Sequence, residues 1–191
     1  VTDADAEVRS AAYTALSRIE TPEASHALTQ LVLHGPVDDA AAAAVALADS
    51  HEPSARAALL ELAAGTDAIA TRAANALEGA DGADVDALMT ALLTRDDPAW
   101  TEIGMEHARA RRDRDAIPRL RELAVHPRPE VASRAIDVIA EIGGPTAIEA
   151  LDALAASHGR ARRIAIQMLM NIPETHDPAL ATAIAITRDE V

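Results

Sequence analysis

The chain has 191 residues and a net charge of −14, so it repels polyanions, and we expect no nucleic-acid partner. It lacks Cys and Lys, which excludes disulfides, thiolate metal sites, cysteine nucleophiles, Schiff-base lysines and phosphate-loop lysines. No apolar run reaches the roughly 18 residues of a membrane span and no basic-then-apolar leader opens the chain, so we expect a cytoplasmic protein without a membrane partner.

Six similar segments of about 30 residues follow one another along the chain. They cover residues 3–34, 35–65, 66–95, 96–126, 127–157 and 158–187. One position is always small: Ala12, Ala43, Ala73, Gly104, Ala135 and Ala165. Another is mostly aliphatic: Leu28, Leu59, Met89, Leu120, Leu151 and Ala181. Because apolar residues recur at helical spacing in two stretches of each segment, every segment predicts a pair of amphipathic helices.

Proline marks the expected helix starts. Pro22, Pro53 and Pro145 stand between the two apolar stretches of their segments, where the first position of a helix does not need its N–H. Asp97-Pro98 and Asp177-Pro178 each join an N-cap residue to such a proline. These signals predict that a new helix begins at each of the five prolines.

Two-helix segments of this length that open with D-x-E-V-R, as at Asp5 to Arg9, resemble HEAT-like repeats. They are most similar to the short bacterial and archaeal variety first described in phycobilisome lyases, and the resemblance covers residues 3–187. It implies an all-α, right-handed α-solenoid of about six repeats, in which neighbouring hairpins bury each other's apolar faces. We expect one domain over residues 1–191, or a segment of a longer solenoid, with the second helices on the concave side.

The terminal segments lack the polar caps that usually close a solenoid. In the sixth segment the expected second helix is apolar nearly all round, with Leu180, Ile184 and Ile186, and the first segment opens directly on a repeat. The ends are therefore expected either to continue into further repeats or to be covered by self-association.

The fourth segment departs most from the pattern. Trp100 stands in a column held elsewhere by Val8, Ile69 and Val131, which favours a core position over a binding-surface aromatic. The segment also holds Arg109, Arg111, Arg112, Arg114, Arg119 and Arg121. Interleaved acids allow ion pairing along the helix surface, while the density of Arg also fits a docking patch for an acidic partner.

No catalytic constellation is present. HEAT-like deoxyhypusine hydroxylases bind iron through His-Glu pairs, and the one such dipeptide here, His51-Glu52, falls at a turn. HEAT-like alkylpurine DNA glycosylases need a basic face and aromatics, which this acidic chain with one Trp and one Tyr does not offer. We therefore expect no enzyme activity, no metal and no cofactor.

The sequence favours a protein-interaction scaffold that binds an unidentified protein partner along the concave face and the Arg-rich patch. The helical phase predicts exposed positions on that face at His26, Gln30, Glu61, Arg119, Glu122 and Glu149. The alternatives are an accessory or phycobilin-lyase-like subunit of an enzyme and a purely structural segment of a larger HEAT-repeat protein.

Overall fold

The computed structural model describes residues 3–95 and 97–171, and these residues form eleven α-helices and no β-strand. The first six are α1 (Ala6–Ser17), α2 (Pro22–His34), α3 (Val37–Ala48), α4 (Pro53–Ala63), α5 (Ala68–Ala76) and α6 (Ala83–Leu92). The other five are α7 (Pro98–Arg111), α8 (Ile117–Leu123), α9 (Pro129–Ile142), α10 (Gly144–Ala155) and α11 (Gly159–Met170). The predicted all-α solenoid of two-helix repeats is confirmed, whereas the second helix of the sixth repeat falls outside the described residues.

The proline signals mark helix starts as predicted. Pro22, Pro53 and Pro98 are the first residues of α2, α4 and α7, and Pro145 is the second residue of α10. The side chain of Asp97 accepts a hydrogen bond from the N–H of Ala99 at 2.9 Å, which satisfies one of the free donors at the start of α7. Asp177-Pro178 lies outside the described residues.

The chain divides into two compact units, Val1–Met89 and Thr90–Val191. In the first unit α3 contacts α1, α2, α4 and α5, so each hairpin is covered by the next. The fully buried side chains there include Tyr13, Leu28, Leu47 and Leu59. Burying one such leucine stabilises the fold by about 2 kcal/mol, which shows why hairpins that share a core hold together.

The second unit has a continuous aliphatic core formed by α7 to α11. Its buried cluster includes Met105, Leu120, Ile136, Leu151 and Leu169. In this unit α9 contacts α7, α8, α10 and α11, the same role that α3 has in the first unit. The aliphatic column predicted from the repeat is confirmed over its described members, since Leu28, Leu59, Met89, Leu120 and Leu151 are all buried.

The fourth repeat is the irregular one. Trp100 is 5% exposed, which confirms its core position, and the guanidinium of Arg95 stacks 4.2 Å from the centre of its ring. The second helix, α8, has 7 residues, compared with 12 in α10 of the next repeat. His34 is the last residue of α2, whereas His126 lies three residues beyond the end of α8.

The position that Trp100 holds in the fourth repeat is exposed to solvent in the first repeat. Val8 is 49% exposed, while Trp100 and Val131 in the same column are buried.

The apolar residues Leu180, Ile184 and Ile186, which suggested self-association, lie outside the described residues. Self-association and the single domain over residues 1–191 therefore stay predictions.

Candidate partner-binding surfaces

The turn between α7 and α8 holds three of the predicted arginines. Arg111 is the last residue of α7, Arg112 caps the helix, and Arg114 follows in the turn. All three are exposed. Neither Arg112 nor Arg114 forms an ion pair with another described residue, so their charges face solvent. We call Arg111, Arg112 and Arg114 the turn arginines.

Arg112 has an unusual backbone for its residue type. Its φ is 50° and its ψ is 45°, and its N–H donates to the carbonyl oxygens of Ala108 and Arg109, which ends α7. This left-handed conformation costs a non-glycine residue about 1 kcal/mol, because Cβ approaches a carbonyl oxygen, and glycine usually takes it. Stability alone would therefore favour glycine at position 112.

Arg114 reaches the start of α10. A Cβ added at Gly144 would lie 3.1 Å from an Nη atom of Arg114, so the guanidinium is held against the backbone there. A helix N-terminus carries partial positive charge, so this placement gives Arg114 no help from the α10 dipole. Arg114 therefore lies beside the start of α10 without an ion pair to a described residue.

Arg109 belongs to a different surface from the turn arginines. Its Nε donates to both carboxylate oxygens of Glu106 at 2.9 Å, and its Nη1 lies 3.6 Å from Oε2 of Glu141 on α9. Arg134 on α9 completes the group by pairing with Glu106 at 2.6 Å and Glu102 at 3.1 Å. Hydrogen bonding and charge from Arg109, with a further contribution from Arg134, hold the pKa of Glu106 below its usual range. Arg109 is thus committed to joining α7 to α9.

Similar ion pairs join repeats elsewhere in the chain. Nε of Arg9 lies 2.9 Å from Oδ1 of Asp39, which joins α1 to α3, and Nε of Arg56 lies 2.9 Å from Oδ2 of Asp84, which joins α4 to α6. Partners in these pairs are 30 and 28 residues apart, about one repeat. These ion pairs were not predicted from the sequence. They could be predicted from an Arg and an Asp or Glu that lie about one repeat apart on equivalent helix faces.

The α8 residues form a third group. Nε of Arg119 donates to the carbonyl oxygen of Leu93 at 3.1 Å, and its Nη1 pairs with Glu122 one turn along. Arg121 and Glu122 are exposed. The six predicted arginines therefore do not all lie in one patch: Arg109 is tied to α9 and Arg119 to the backbone of Leu93, while the turn arginines and Arg121 are exposed.

The remaining predicted residues lie on second helices of both units. His26 and Gln30 on α2, Glu61 on α4 and Glu149 on α10 are all exposed, as the helical phase predicts. Glu61 lines a groove of about 350 Å³ with Leu33, so a carboxylate stands beside an apolar wall in the first unit.

A metal site needs several converging His, Cys, Asp or Glu side chains. Among residues 3–95 and 97–171, no group of three or more His, Asp and Glu side chains converges as a metal site would require. His51 pairs with Glu20, its Nδ1 lying 3.1 Å from Oε1, and Glu52 accepts from Ser54 at the start of α4. Within the same described residues, every helix is too short or too polar to cross a bilayer.

Comparison with known proteins gives one family. A model of HEAT repeats matches residues 1–48 and 85–171. No curated protein sequence is matched at a significant level.

Solved structures of related shape are distant. One is an engineered protein from the Northeast Structural Genomics Consortium, 20% identical, with a TM-score of 0.46 over 90% of this chain and 95% of the other. Another is the complex of CpcE and CpcF of phycocyanin lyase from Nostoc sp. PCC7120, 22% identical, with a TM-score of 0.45 over 96% of this chain and 77% of the other. A second engineered protein from the same consortium is 19% identical, with a TM-score of 0.44 over 95% and 89% of the two chains.

Proposed function

The chain belongs to the HEAT-repeat family, and we propose that it is a non-catalytic scaffold that binds a protein partner through the turn arginines and the exposed side of its second helices. The observation that carries this proposal is Arg112, a charged residue held exposed in a conformation that favours glycine. Residues held in sparsely populated backbone conformations cluster at binding and active sites. We also propose that the protein is located in the cytoplasm.

The charge of the surface indicates the partner. The turn arginines place three cations within four consecutive residues of a chain whose net charge is −14. Guanidinium groups bind carboxylates through paired hydrogen bonds, so the partner segment that meets this turn should be acidic. On the second helices the exposed groups are mixed, with His26 and Gln30 on α2 and Glu61 on α4, which suits a polar segment lying across them.

The experiment is affinity capture with the full chain from extracts of its native host, followed by mass spectrometry. The test variant carries Arg111→Glu, Arg112→Glu and Arg114→Glu together. One control replaces the same three residues with Lys, which keeps the charge, and a second carries Arg18→Glu, an exposed arginine of the first unit. Circular dichroism and urea unfolding confirm that every variant is folded.

The proposal expects specific proteins to be enriched by the wild-type chain and by both controls and to be lost from the Glu variant. Equal enrichment of the same proteins by the Glu variant would remove the turn arginines from the binding surface. Enrichment of nothing by the wild-type chain above a beads-only background would contradict the scaffold role itself.

A further inference from the structure

A separate groove opens in the second unit, between the loop after α8 and the start of α11. Its volume is about 260 Å³. Its lining combines apolar side chains, among them Val125, Ile136 and Ile164, with three polar ones, His126, His158 and Arg160. None of these residues is a turn arginine or one of the second-helix positions proposed above.

The apolar part of the groove is ready to receive an aliphatic side chain. Ile164 on α11 is half-buried and Val125, in the loop after α8, is 64% exposed, so both can contact a partner, whereas Ile136 on α9 is fully buried. Small-molecule sites usually enclose about 300–1,000 Å³. The groove lies just below that range, so it fits the anchoring side chain of a peptide better than a whole small molecule.

The polar part of the groove presents hydrogen-bond donors. The backbone N–H of Arg128 donates to Nδ1 of His126 at 3.2 Å, so the ring proton of this imidazole is on Nε2 and Nε2 is a donor. Arg160 adds a guanidinium, which has donors only. Among the described residues, no carboxylate lines the groove. In a chain with a net charge of −14, the charge of this groove therefore complements an acidic group.

The start of α11 adds to this charge pattern. Arg160 is the second residue of the helix and Arg163 the fifth, although cations near a helix N-terminus are unfavourable. His158, the N-cap residue, forms no side-chain capping hydrogen bond. Folding thus gains little from positive charge at this position, whereas an anion bound at the groove would gain from it.

We propose that this groove binds a segment of a protein partner in which an Asp or Glu stands next to a Leu, Ile or Val. The aliphatic side chain packs on Val125 and Ile164, and the neighbouring carboxylate accepts hydrogen bonds from Arg160 and from Nε2 of His126. Because the groove shares no residue with the turn arginines, it is a second binding site, and each site can fail in a test without the other.

The probe is an array of short immobilised peptides. Each peptide carries one acidic, basic or neutral polar residue next to one aliphatic residue, and the array covers all combinations. The full chain is applied to the array as wild type, as Arg160→Glu and as Arg163→Glu. The last is a matched control, because Arg163 is an exposed arginine of the same helix that does not line the groove. The triple Glu variant at the turn arginines is included to separate the two sites.

The wild-type chain, the Arg163→Glu variant and the turn variant should prefer acidic–aliphatic peptides. The Arg160→Glu variant should bind them about tenfold more weakly, as expected when one charged hydrogen-bond donor is lost. Equal binding by the two α11 variants, a preference for basic peptides or no preference at all would overturn the proposal. Sedimentation of the chain alone measures its oligomeric state. A dimer that dissociates in the Arg160→Glu variant would assign the groove to a second copy of the chain, and that result would also overturn the proposal.

Discussion

The fourth and fifth repeats bury equivalent residues but end their first helices in different ways. Leu120 in one and Leu151 in the other are fully buried in the same column. At the end of α9, Gly143 has φ 69° and ψ −173°, a region that only glycine occupies readily, whereas at the end of α7 Arg112 has φ 50° and ψ 45°. Packing thus determines the core of both repeats in the same way. At the end of α7, however, the backbone of Arg112 is slightly strained and its charged side chain is exposed.

The largest effects should be shared by the two repeats. Leu120→Ala and Leu151→Ala should each lower the free energy of unfolding by about 3 kcal/mol, because each leaves a cavity in the same core. Urea unfolding of the two variants measures this. A loss at one position and none at the other would show that the two repeats do not share a packing scheme.

The next effect should be specific to the fifth repeat. Gly143→Ala should lower the free energy of unfolding by about 2 kcal/mol, because alanine avoids this backbone region. Space is not the reason, since the nearest atom to an added Cβ is the carbonyl oxygen of Ala140 at 3.9 Å. Urea unfolding with an unchanged helical signal is the readout, and a loss of stability close to zero would refute the strain argument.

A smaller effect concerns the ion pairs between these repeats. Glu106→Gln should lower the free energy of unfolding by about 1 kcal/mol at neutral pH, since Glu106 accepts from both Arg109 and Arg134. The control is Glu102→Gln, which removes one exposed pairing with Arg134 and should cost less.

The same carboxylate predicts a dependence on pH. Because the folded state holds the pKa of Glu106 below its usual value, the unfolded chain takes up the proton first as pH falls. The stability from Glu106 is therefore present above about pH 4 and is lost as pH falls further through the folded pKa. Urea unfolding of the wild type and Glu106→Gln should converge at acid pH, and a constant difference would contradict this assignment.

The smallest effect has the opposite sign. Arg112→Gly should raise the free energy of unfolding by about 0.5 kcal/mol, because relief of the left-handed strain exceeds the extra freedom of glycine in the unfolded chain. Arg111→Gly, one residue earlier and still helical, should lower it. Thermal and urea unfolding of both variants check the difference in sign.

The sequence predicts the parts of this structure that repeat. Leu28, Leu59 and Leu120 recur with one stride because each fills the same space between hairpins, and Asp97-Pro98 marks a helix start through local chemistry alone. Both signals depend on residue type and spacing, which a single sequence displays.

The surface was predicted less well because it depends on side-chain direction. The count of six arginines in the fourth repeat suggested one patch, but Arg109 turns toward Glu141 on α9 and Arg119 toward the backbone of Leu93. The left-handed backbone of Arg112 was also not predicted. Its signal in the sequence is an Arg at the turn between two helices, where other repeats have Pro or Gly. The contacts of Arg109 and Arg119 join residues about one repeat apart, so they form only when the hairpins are stacked.

The most direct test of the central claim is a calorimetric titration of the captured partner with the wild-type chain and with Arg112→Gly. If Arg112 is held exposed for binding, the variant should be more stable than the wild type and yet bind the partner more weakly, by about tenfold. Unchanged affinity in the more stable variant would show that the turn after α7 is only a helix end.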